Sequence, residues 1–416
     1  IVFFCIPILT CLVVLLPCDL LIKRLFTSFF YQSTYSQRAT LYEYCTSKFL
    51  KFNYKYLDPK TLGAAFNGRS LSKWFLYYRC YRQGFAKLND SEFKYSEEEG
   101  IKGIWITSPC RCANDTDFDL VLFYVHGGGF IQSSPWFYVE FLNVVLVCLQ
   151  EQGFKNPAIF IVDYQQGNFN DDLRYLSEAW QYVQLKASKA HLVLSGDGSG
   201  GLLALALLFH IASPYNFIPI PVIGLQKPSA LVLISPWTKM YYEEKSYPGT
   251  SEDFINYEVM NKLSKEYIGE EQFIQLREQI EQLKKDDLEK ESCDTDDIFD
   301  PIIDHYRNPG YCESLDIWQE AFPRYGAYIT CGDEEYLRDE ITDLAERMSV
   351  VGKTKFDPRS NQIHCWPVLT FYTERIEELR EDGIEYICGI ISRMLLWNTD
   401  TFFEQGALVP VKIEYS

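Results

Sequence analysis

Positive charge is scarce in this 416-residue chain, with 39 Lys and Arg against 57 Asp and Glu and a formal charge of −18. So acidic a molecule is repelled by phosphates, which excludes nucleic acid as a partner and disfavours an anionic membrane surface. A disordered composition is missing too: 47% hydrophobic against 23% charged residues gives enough apolar surface for a large core. No internal repeat is visible. The 13 cysteines are scattered and odd in number, so they form no disulfide framework. Cys110 and Cys112 make a Cys-x-Cys, but no further ligands follow at metal spacing, so neither a metal nor another cofactor is expected. The sequons at Asn89 and Asn114 are about what chance supplies.

What the chain does have begins at its first residue. Ile1 to Cys18 is uncharged and almost wholly apolar, and after Asp19 the run continues to Ile22, ahead of Lys23 and Arg24. As a helix, eighteen residues span about 27 Å, close to a bilayer's hydrocarbon core. No small-x-small cleavage site precedes Asp19, which argues against a secretory signal. Residues 1–22 are therefore predicted to be a single-pass membrane anchor.

Residues 23–105 are rich in Tyr, Phe and Lys without clean strand–helix alternation and are expected to form a cap. From about Asp119 short apolar runs alternate with amphipathic stretches, the pattern of a parallel sheet flanked by helices. Strands are predicted at 120–125, 158–164, 191–195, 230–234 and 325–331. Helices are predicted at 136–152, 171–189 (capped by Asn170 or Asp171), 200–211 and 339–350, with one long final helix over 373–396. The stretch 240–320 is acidic and helical in pattern, an insertion into a main domain of 106–416. Its charge run at 271–291 reads most simply as a solvated helix face.

Two glycine turns follow strands. His126-Gly127-Gly128-Gly129-Phe130 lets backbone N–H groups point into a site, as an oxyanion hole requires. About seventy residues later Gly196-Asp197-Gly198-Ser199-Gly200-Gly201 leads from strand to helix. Together these resemble the oxyanion loop and nucleophile elbow of the α/β-hydrolase fold. The HGGGF and GD··GG forms are similar to the hormone-sensitive-lipase family and, in layout with an apolar N-terminus, to fungal membrane-anchored steryl acetyl hydrolases. The likeness runs from about residue 118 to 395 and includes Asp163-Tyr164 and Ser235-Pro236-Trp237. It implies a mostly parallel twisted sheet, a carboxylic-ester hydrolase, an apolar ester or sterol-like ligand and an endoplasmic-reticulum membrane. It also places the triad's later members. Gly332 to Asp339 (GDEEYLRD) puts Glu334 at the acid position, with Asp333 and Glu335 as rivals that spacing cannot separate. Of five histidines, His364, thirty residues further on, matches the terminal base. Gly127, Gly128 and Ser199 are the expected oxyanion-hole donors.

The elbow departs from the family pattern, Gly-Asp-Ser-Ala-Gly-Gly. Its third position, the nucleophile's, is Gly198, and the serine comes one later, at Ser199. A residue one step along the emerging helix points about 100° away, out of line with His364. The chain contains no Gly-x-Ser-x-Gly to take over. Three readings stay open: a pseudoenzyme that binds without cleaving, a working esterase using Ser199, and a duplicate whose elbow has drifted.

Overall fold

The computed structural model describes residues 33–59, 74, 76–79, 92–108, 117–164, 167–216, 218, 224–244, 252–290 and 304–397. The predicted anchor, the Cys110/Cys112 pair and both sequons lie outside the described residues. Among the described residues no helix is long and apolar enough to cross a membrane.

The chain enters through two cap helices, α1 (Thr34–Arg38) and α2 (Leu41–Tyr56). Helix α2 starts at a capping box: the Thr40 hydroxyl accepts from Glu43 N at 3.2 Å, and Thr40 N donates back to the Glu43 carboxylate at 2.7 Å. Strands β1 (Glu92–Glu98) and β2 (Ile101–Thr107) follow as a hairpin. Its two loop residues, Glu99 (φ 56°) and Gly100 (φ 82°), are both left-handed, the backbone a tight hairpin turn needs. The hairpin belongs to the main sheet and not to the cap, because β2 pairs antiparallel with a central strand and buries Ile104 and Ile106 completely. The predicted boundary at 105/106 therefore cuts through a strand.

Then come β3 (Leu120–Val125), α3 (Pro135–Glu151), β4 (Pro157–Val162), α4 (Phe169–Lys186), β5 (His191–Asp197), α5 (Gly198–Ala212) and β6 (Ala230–Ile234). The acidic insertion supplies α6 (Tyr257–Ile268) and α7 (Glu270–Lys290). The chain closes with α8 (Leu315–Ala321), β7 (Ala327–Gly332), α9 (Arg338–Val351), β8 (Thr354–Arg359), α10 (Trp366–Thr373) and α11 (Glu377–Ser392). The eight strands lie in the order β1-β2-β4-β3-β5-β6-β7-β8, parallel from β4 to β8. Strands β3, β4 and β6 are wholly buried, since helices cover both faces. One apolar cluster packs α4, α5 and α9 on one face, and a second packs α3 and α11 on the other.

Two predicted helix ends move. The α4 cap is Asn168, whose side chain accepts from Asp171 N at 3.0 Å. The final helix, predicted from 373, starts at Glu377: α10 ends at Thr373, and the Glu374 side chain accepts from Arg375 N and Ile376 N before the chain turns helical again.

Candidate active site

The two glycine turns meet at the carboxyl ends of the neighbouring strands β3 and β5. Asp197 closes β5 with a fully buried carboxylate, accepting from Tyr124 OH at 2.9 Å, Tyr138 OH at 2.8 Å and Gly127 N at 2.8 Å. Burial pushes its carboxyl above the ordinary range, and these three donors limit the rise. The bond from Gly127 corrects one expectation. Its N–H is committed to Asp197, so it is not available to an oxyanion. Gly128 and Gly129 line the cavity instead, beside Gly198 and Ser199. His126 is buried behind the turn, where its Nδ1 lies 2.9 Å from Gly127 O and burial lowers its pKa to about 4. It braces the loop as a neutral ring.

Gly198 takes φ +51°, the left-handed conformation that glycine adopts without penalty. A Cβ built on it would stand 3.3 Å from His364 Nε2 and 3.6 Å from Cys365 Sγ. Position 198 therefore faces the imidazole across a narrow gap, in which a Cβ would be in close contact with the ring. The Ser199 hydroxyl, almost fully buried, instead accepts from Phe130 N at 3.1 Å and is engaged with the oxyanion loop.

On the other side of the gap the carboxylate nearest His364 belongs to Glu335, with Oε1 3.6 Å from Nδ1. Glu334, placed at the acid position by the sequence, turns the other way. It accepts from Tyr35 N at 2.7 Å and from the Thr34 hydroxyl, so it ties the acid turn to the cap. Of the two glutamates in this turn, Glu335 is the one folded inward. Its second oxygen accepts from Ser235 Oγ at 2.6 Å and Gly332 N at 2.8 Å. Ser235 Oγ also accepts from Cys365 N at 2.9 Å, so one hydroxyl holds both the Glu335 carboxylate and the backbone beside His364. Asp253 was not anticipated. Completely buried, it accepts from Tyr336 N at 2.8 Å, and burial raises its pKa to about 6. The signal for Ser235 was the Ser-Pro after a strand; Asp253 lies in the insertion and gave none. Burial alone would depress His364, but Glu335, Asp253 and Asp197 outweigh it and hold the imidazole above its ordinary pKa.

The cavity over this gap measures about 440 Å³ and is walled mainly by apolar and aromatic side chains, among them Phe49, Tyr54, Phe137, Phe254 and Val368. Among the described residues no cluster of His, Cys, Asp and Glu could hold a metal ion. The arrangement suits an uncharged apolar ligand whose polar end reaches the imidazole.

A family model described as steryl acetyl hydrolase matches residues 86–374. The carboxylesterase/phospholipase LipF of Mycobacterium tuberculosis is 29% identical over 120 residues, which cover 28% of this chain and 28% of that protein. The chain thus matches little more than a quarter of that relative's length. An esterase of the bacterial hormone-sensitive lipase family superposes with a TM-score of 0.56 at 18% identity, covering 86% of this chain and 99% of the other. A hormone-sensitive lipase from a metagenome library gives 0.55 at 18% identity, over 81% and 97%. At such identities the likeness establishes the α/β-hydrolase fold.

Proposed function

Since the chain belongs to the steryl acetyl hydrolase family, we propose that it binds an apolar ester or sterol-like ligand at a membrane while lacking the nucleophile for rapid hydrolysis. Attack in such a site needs an Oγ aimed at the base, with donors ready for the oxyanion. Here the base, an orienting acid and the glycine loop are retained. The observation that carries the reading is the 3.3 Å between His364 Nε2 and the place of a Cβ on Gly198, where there is only hydrogen. His364 is assigned as base and Glu335 as its orienting acid. Gly128, Gly129 and Ser199 supply the backbone donors. Residues 1–22 are assigned as the anchor, in the endoplasmic reticulum by family resemblance.

A fluorophosphonate probe tests the reading. The natural chain is expected to stay unlabelled and Gly198→Ser to become labelled at the new serine. Labelling of Ser199 in the natural chain would make it an active esterase and overturn the reading.

A further inference from the structure

The cap and the start of α11 carry an uncovered apolar face. Tyr42, Trp74, Tyr77, Ile376 and Leu379 each expose more than half of their surface. This is a patch and not a scatter. Trp74 stacks on Tyr78 at 5.5 Å, one residue from Arg79, whose guanidinium lies 4.8 Å from the Tyr372 ring. Tyr42, Arg79, Tyr372 and Thr373 all border the cavity, and Ile376 follows Thr373 by three residues. The exposed face thus runs around the rim of the apolar chamber.

We propose that this rim docks on the surface of a neutral, phosphatidylcholine-like bilayer, so that the apolar ligand passes between lipid and cavity without crossing water. Trp and Tyr settle at the headgroup level, where an apolar ring body and a polar tip are both satisfied. A charge of −18 favours an uncharged lipid surface over an anionic one. Chain length agrees: ten residues separate Ile22 from Ser33, at most about 36 Å of backbone, so an anchor at 1–22 keeps the cap beside the bilayer. The proposal rests on that anchor reading, and its test separates the two.

The full chain is reconstituted into phosphatidylcholine vesicles with ordinary or brominated acyl chains, and the emission of Trp74 is taken as the difference from Trp74→Phe. Brominated lipid should quench that share about twofold or more, and acrylamide access should fall comparably. Tyr77→Glu with Leu379→Glu should restore both to their values in water. Unquenched Trp74 on a chain that resists extraction by alkaline carbonate overturns the docking and leaves the anchor standing. An unquenched Trp74 on a chain that carbonate extracts overturns both. Shielding from acrylamide without bromine quenching, together with cross-linking to a second copy, assigns the face to self-association and also overturns the proposal.

Discussion

The two halves of the site are held by different means. On the elbow side the backbone is interlocked: a Cβ on Gly200 would lie 2.2 Å from Val125 O, and Gly127 N is fastened to Asp197. On the acid–base side the parts are buried side chains that hold one another, Glu335 through Ser235 and His364 through Glu335. The elbow's position 198 contributes only backbone to the scaffold, its carbonyl accepting from Trp237 N at 2.9 Å, and no side chain. A glycine there even relieves the left-handed strain that any other residue bears, about 1 kcal/mol. A nucleophile can therefore be lost while the turn around it persists. Removing a buried acid or base would leave its partner uncompensated in low dielectric.

The sharpest test of this contrast puts a hydroxyl at position 198. Gly198→Ser is expected to raise hydrolysis of a short-chain acyl ester by about 10²–10³-fold, read as kcat/KM. In that background Glu335→Gln should cost about 10²-fold or more, and Glu334→Gln should leave kcat within about twofold. If the Glu334 variant is the crippled one, the inward carboxylate has been misassigned.

Stability separates the two glycines of the elbow. Gly200→Ala should cost about 4 kcal/mol or more in denaturant unfolding, because its methyl meets backbone that cannot yield. Gly198→Ala should cost less, about 1–3 kcal/mol, the strain of a left-handed alanine plus a tight contact with the side chain of His364. Equal losses would mean that the His364 ring cannot yield to a Cβ at position 198.

How far the sequence could be read follows the same division. Backbone-built features announce themselves, since three glycines after an apolar strand have few other uses. So the two glycine turns, and the glycine at 198 where a side chain would face His364, were legible. The acid was not, because Asp333, Glu334 and Glu335 share one composition and only the turn's direction chooses among them. Gly127 was misjudged for a related reason: its N–H looks free until Asp197, seventy residues away, is folded against it. The hairpin at 92–107 was hidden because its inner strand is buried in part on both faces, which erases the alternation that reveals a half-buried strand.

The buried carboxylate of Asp253 makes the acid–base half pH-sensitive. Its pKa rises from 3.8 to about 6 on folding, so the folded state binds the proton more tightly. That stabilisation is fully present below pH 3.8 and is lost as pH climbs through 6, about 3 kcal/mol in all. His364, also raised above its ordinary 6.5, acts in the same sense: its contribution is complete below 6.5 and fades above its folded value. The groups acting on Asp253 are His364, Glu335 and Lys51. Asp253→Asn can keep an acceptor for Tyr336 N, and it should flatten the fall in unfolding free energy between pH 4 and 7. An unchanged slope would assign the sensitivity elsewhere.

The smallest effect expected belongs to the residue that looks most like a nucleophile. Ser199 Oγ accepts from Phe130 N inside the oxyanion loop and lies almost entirely out of water. Ser199→Ala removes that acceptor and leaves a buried N–H without its partner, a cost of about 1–2 kcal/mol in unfolding free energy. It leaves the Ser199 backbone N–H in place, so an oxyanion would keep that donor. With Gly198→Ser supplying the nucleophile, adding Ser199→Ala should change kcat by no more than a few-fold, through loosening of the loop that carries Gly128 and Gly129. A collapse of activity in the double variant would give the Ser199 hydroxyl a part in the chemistry. Both halves of the site would then contribute reactive side chains, and the contrast between them would fail.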